Sequence, residues 1–126
     1  MKNIEMVARQ IVDAAYFIHQ ELGPGLLESA YQFCLIKELK ERGLELRAEV
    51  GVPLVFKGEK LDCGYRLDIL VEQQIILEIK SVETLLPIHT AQLITYLKLT
   101  ELKLGFLINF NTQYFKSGIR RIAYNL

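Results

Sequence analysis

The sequence predicts an α/β sandwich, a mixed sheet flanked by helices, in the order ααβββαβ(β). Three observations predict it. The first 42 residues place apolar side chains at helical spacing. Residues 46–82 then change to β-branched runs separated by turn signals. Last, the apolar run Leu104–Phe110 follows a further helical stretch.

Ile4, Val7, Ala8, Ile11, Ala15, Ile18 and Leu22 fall on one stripe, which predicts a helix over Ile4–Leu22. Gly23-Pro24-Gly25 ends it, because glycine suits a left-handed cap and proline cannot continue a helix. A second helix is expected over Leu26–Arg42, with Leu27, Ala30, Tyr31, Cys34, Leu35 and Leu39 facing inward and Gly43 closing it. Leu46–Phe56, Leu61–Val71 and Ile75–Val82 read as strands of an antiparallel meander, turning at Lys57-Gly58 and Glu72-Gln73. Leu85–Pro87 reads as a loop and Ile88–Thr100 as a third helix. That helix makes a crossover, so strand Leu104–Phe110 should run parallel to Ile75–Val82. Ile119–Tyr124 is a last edge strand. There is no repeat or linker, and 126 residues suffice for one core, so a single domain over residues 1–126 is expected.

Lysine plus arginine and aspartate plus glutamate balance at 15 each, which excludes a global positive field that would recruit nucleic acid. Any such binding needs a local patch, for which Lys116, Arg120 and Arg121 are candidates, although three charges near a chain end commonly form a solvated face. The hydrophobic share of 51% is high for a soluble chain, and burial in a homodimer would account for it. Cys34 and Cys63 lack metal-type spacing; Cys34 reads as a reduced core thiol. Glu5, Arg9 and Asp13 interrupt any signal-peptide run, and no window approaches the ~18 apolar residues of a membrane span. A cytoplasmic location is expected.

The chemistry concentrates where charges interrupt apolar strands. Gln74–Val82 reads QIILEIKSV, and strand alternation puts Glu78 and Lys80 on one face; Arg66 and Asp68 share a face on the strand before. Burying ions without partners is costly, so such a cluster persists when something compensates it. One compensator is a structural ion pair between Arg66 or Lys80 and the acids. The other is a divalent metal. Four charged groups on adjacent strands favour the metal site. The Glu-x-Lys pattern alone is weak, since it also occurs at Glu38–Lys40 and Glu101–Lys103 in positions where charges are solvated. Two carboxylates with the main-chain carbonyl of Ile79 are hard oxygen ligands suited to Mg²⁺ or Mn²⁺, and the lack of histidine or cysteine nearby argues against zinc. Such a metal polarises a phosphoryl oxygen and acidifies a bound water, and Lys80 would orient that water or neutralise developing charge.

Glu28 stands three residues before Tyr31, near the start of the second helix, where an acid also simply complements the helix dipole. Gln92 and Tyr96 stand i, i+4 on the third helix, with His89 one turn before Gln92; for His89 a surface position is expected. His19 reads as a cation at the end of the first helix.

Gly25-Leu-Leu-Glu28-Ser-Ala-Tyr31 matches the motif that names the GxxExxY protein family. Leu61–Asp68, Leu77–Lys80, Leu86–His89, Ala91–Leu97 and Gly105–Phe110 also resemble that family, so the likeness covers nearly the whole chain. The family lies within the PD-(D/E)xK nuclease-like superfamily, whose restriction-endonuclease-like core is an αβββαβ unit, with the first helix here as an addition. The resemblance implies that Glu28 is the core-helix acid and Asp68 the metal-binding aspartate. It makes Glu78 and Lys80 the acid and lysine of the signature, and Gln92, with Tyr96 beside it, the polar residue that often lines such sites. Asp68 follows Arg66-Leu67 where the signature carries a proline. The function implied is Mg²⁺- or Mn²⁺-dependent hydrolysis of phosphodiesters in DNA or RNA, with DNA the first expectation. A non-catalytic nucleic-acid or protein interaction module on the same fold is the alternative, and the zero net charge gives it weight. A hydrolase of nucleotides or small phosphoesters is a third reading.

Overall fold

The structure, a computed structural model, describes residues 2–126. Five strands form one mixed sheet between two helical layers. Helix α1 (Ile4–Leu22) starts at Asn3, whose side chain accepts the N–H groups of Glu5 and Met6, and ends at Gly23 with φ +66°. Its stripe Val7, Ala8, Ile11, Ala14, Ala15 and Ile18 is fully buried. With Tyr31, Leu35 and Leu39 of α2 (Glu28–Glu41) it covers one face of the sheet. Helix α3 (Pro87–Thr100) packs Leu93, Tyr96 and Leu97 against the other face, over Ile76 and Leu107.

The sheet order is β1 (Leu46–Gly51), β4 (Arg66–Val71), β5 (Ile75–Lys80), β6 (Leu104–Asn109) and β7 (Ile119–Ala123). β5 and β6 are parallel and every other neighbouring pair is antiparallel, as the crossover predicts. The fold is thus the expected α/β sandwich with a restriction-endonuclease-like core.

Two of the expected long strands divide. Leu46–Phe56 breaks at Val52-Pro53 into β1 and β2 (Leu54–Phe56), where Pro53 has no N–H to give a ladder. Leu61–Val71 breaks at Asp62–Tyr65, around Gly64 with φ +80°, into β3 (Glu59–Leu61) and β4. β2 and β3 pair only with each other, as a small separate hairpin that projects from the junction of β1 and β4. Helix α2 begins two residues later than expected, and Leu27 is exposed rather than inward. The reason is local: the Leu26 N–H is held by the Tyr31 hydroxyl, which keeps the preceding chain extended. Pro87, read as loop, is the first residue of α3, where a missing N–H costs no helical bond.

Candidate functional site

Asp68 and Glu78 sit opposite each other at one end of the sheet, each bound to the other's strand. The Asp68 N–H donates to Glu78 Oε2 at 2.9 Å, and the Ile79 N–H donates to Asp68 Oδ2 at 2.7 Å. The regular β4–β5 register ends at Ile69 opposite Leu77, and beyond it the two carboxylates satisfy backbone groups themselves. That use of one oxygen from each acid leaves Asp68 Oδ1 and Glu78 Oε1 without a donor among the described residues.

The electrostatics are those of uncompensated negative charge. Burial first, and then the neighbouring Asp68 carboxylate, push Glu78 up to about 8. Burial also pushes Asp68 up to about 6, against the Ile79 N–H and Lys80, while Glu28 and Glu49 raise it further. Lys80 lies close enough to favour both ionised acids, yet neither Lys80 nor Arg66 comes within 4.0 Å of an acid among the described residues. The structural ion pair is therefore not what holds this cluster. Tyr96, on α3, faces the same acids: burial first, then Glu78, Asp68 and Tyr65, raise its phenol, which stays a neutral hydrogen-bond donor. Its ring meets Tyr65 edge to face, with centroids 6.4 Å apart.

A family model for the PD-(D/E)XK nuclease superfamily matches residues 5–122. The chain belongs to the PD-(D/E)XK nuclease superfamily. No curated protein and no solved structure matches it. In a superfamily whose members generally use divalent metals, the acids above are the natural place to look for one.

The donor chemistry fits such a cation. Two desolvated carboxylates each present a free oxygen, next to the main chain of Ile79, and no histidine or thiol intrudes. No three His, Cys, Asp or Glu side chains among the described residues converge into a complete ligand group. Asp68, Glu78 and the Ile79 carbonyl are the candidate protein donors for such a cation.

The loop that precedes Glu28 is strapped to the sheet. Gly25 takes φ +105°, and its N–H donates to Asn111 Oδ1. The Tyr31 hydroxyl donates to the Gly23 carbonyl at 2.5 Å and accepts the Leu26 N–H, while its ring stacks on Phe110 with centroids 4.6 Å apart. The Ser81 hydroxyl, just past β5, donates to the Leu26 carbonyl. These bonds tie the start of α2 to the end of β5, so Glu28, its first and exposed residue, lies where its charge raises both acids. Glycine and tyrosine of the Gly25–Tyr31 motif shape the loop; the glutamate is what the loop presents. Tyr31 itself is fully buried and does not share the exposed face of Glu28.

Gln92 is half-buried one turn before Tyr96, and its side chain makes no hydrogen bond among the described residues. His89 is a structural cap: its Nδ1 accepts the Leu86 N–H at 3.0 Å. His19 is not solvated: it is 4% exposed, against Phe115, with Nε2 2.7 Å from the Thr112 carbonyl. Arg121 is paired with Glu5, which removes it from any free basic patch. Three further residues near the site have no role assigned from the sequence: Gln32 and Glu49, which lie outside every motif, and Asn109, which lies within the Gly105–Phe110 stretch. Asn109, 3% exposed, accepts the Val82 and Asn111 N–H groups and donates to the Val82 carbonyl, fixing the chain where it leaves β5. An amide in the last position of an apolar strand was the available signal.

Proposed function

We propose that this chain is a Mg²⁺- or Mn²⁺-dependent nuclease acting on DNA, with RNA the second polymer to test, as one nuclease-like domain over residues 1–126 in the cytoplasm. One observation carries the reading: Asp68 and Glu78 are cross-bridged, desolvated and left without a paired cation, in a chain that belongs to the PD-(D/E)XK nuclease superfamily. Asp68, Glu78 and the Ile79 carbonyl hold the metal. When bound, the cation supplies a Lewis acid for a phosphoryl oxygen and acidifies a water. Lys80 holds its ammonium beside the acids, where it orients the attacking water or balances charge growing on the phosphate. Glu28 completes the acidic shell, and Gln92 positions water or phosphate from α3. The Gly25–Tyr31 motif supports the narrower assignment to the GxxExxY family.

Balanced net charge favours the interaction-module alternative, and cation binding separates the two. Calorimetric titration with Mn²⁺ should show binding to wild type that Asp68→Ala abolishes while its circular dichroism is unchanged. No binding to wild type would move the assignment to the module. Hydrolysis of small phosphoesters in preference to polynucleotides would move it to the third class. The high apolar content supports a homodimer that places two sites on the two strands of a duplex, and a monomeric sedimentation profile at working concentration removes that part.

A further inference from the structure

Glu49 occupies the middle of β1 with φ +53°, a left-handed backbone that a side chain other than glycine adopts at a penalty of roughly 1–2 kcal/mol. It stands opposite Asp68. The β1–β4 register pairs Ala48 with Ile69 and Val50 with Leu67, and omits Glu49 and Asp68 between them. Side-chain alternation reverses across this gap on both strands: Leu46 and Ile69 pack toward the α1–α2 layer, Val50 and Leu67 toward α3. In an unbroken ladder Leu67 and Ile69 would share a face. Backbone strain held at such a point needs a structure that over-determines it. Here it is Gln32 of α2, whose Nε2 donates to Glu49 Oε1 at 2.9 Å and to the Asp68 main-chain carbonyl at 3.2 Å. Both partners are acceptors, so the amide orientation is fixed by its surroundings.

We propose that Glu49 and Gln32 form a positioning pair for Asp68. The Glu49 carboxylate anchors Gln32, Gln32 anchors the Asp68 main chain at the ladder break, and the Asp68 carboxylate is thereby aimed at the Ile79 N–H. Neither residue touches the reacting atoms; they set where the proposed metal-binding aspartate points. The importance of that aim rests on the nuclease reading above, but the aim itself is a property of the metal-free chain and is measurable there.

The direct readout is the Ile79 amide in the ¹H–¹⁵N spectrum and in hydrogen exchange, without metal. Gln32→Ala and Glu49→Ala should each move that resonance upfield and raise its exchange on the order of tenfold, as expected on weakening one local hydrogen bond. Glu49→Gln keeps an oxygen for Gln32 and should retain the wild-type signal. Each alanine variant tests the pair alone, so one that fails to fold leaves the other decisive. A wild-type Ile79 amide in the folded alanine variants, or a disturbance in Glu49→Gln equal to that in Glu49→Ala, overturns the proposal. If wild type cuts no nucleic acid but the amide responds as expected, the nuclease reading fails and the positioning pair stands.

Discussion

Glu78 is kept 5% exposed beside a second acid, and its proton balance follows from that. Its folded value of about 8 and that of Asp68, about 6, lie above their ordinary values of 4.5 and 3.8. The folded chain therefore binds protons more tightly than the unfolded one, so the stabilisation is complete below pH ~4 and lost as pH rises through 6 and then 8. Thermal melts of the metal-free protein should fall in midpoint from pH 5 to pH 9. Glu78→Gln, which cannot ionise, should flatten that fall and melt higher than wild type at pH 9; a wild-type profile level across this range would contradict the burial argument. Among single residues, Asp68, Glu78 and Lys80 were legible because a charge inside an apolar strand run is conspicuous. Gln32 and Glu49 were not, since their role exists only where the β1–β4 register breaks. His19 was misread because periodicity alone cannot tell that residues 112–115 return to cover it.

At the scale of elements, the connections between helices and strands hold the site ends together. The loop before α2 depends on one phenol, so Tyr31→Phe should lower stability by about 1–3 kcal/mol, having removed a buried hydroxyl bonded to both Gly23 and Leu26. Urea unfolding measures it, and an unchanged midpoint would show that Ser81 and Asn111 suffice. The turn before β7 is tighter still. A Cβ on Gly118 would lie 2.0 Å from the Asn109 carbonyl, whose own strand end anchors Val82. Gly118→Ala should be destabilised by at least about 1–3 kcal/mol in the same assay. Helix α1 was legible to the residue, because an uninterrupted stripe runs straight into the Gly23-Pro24-Gly25 stop; its Asn3 cap was not read from the sequence. The strands were less so. Leu46–Phe56 and Leu61–Val71 each keep β-branched and apolar residues to both ends, and only Pro53 and Gly64 hint that each serves two sheets.

For the molecule as a whole, the α/β order was legible because helical and strand periods occupy separate blocks and one crossover fixes the parallel pair. The acids and lysine of the candidate site were legible; how α2 approaches β4 and β5 was not, because that depends on how the loop at Gly23–Leu26 is strapped to the end of β5. The central claim is that this assembly cuts phosphodiesters. Labelled single-stranded, duplex, flapped and four-way-junction DNA, together with RNA, should be incubated with wild type, Asp68→Ala and Lys80→Ala in Mg²⁺ or Mn²⁺. Metal-dependent cleavage by wild type, reduced on the order of a hundredfold or more in both variants, is the predicted result. Cleavage that survives in Asp68→Ala, or no cleavage of any substrate by wild type, would contradict it.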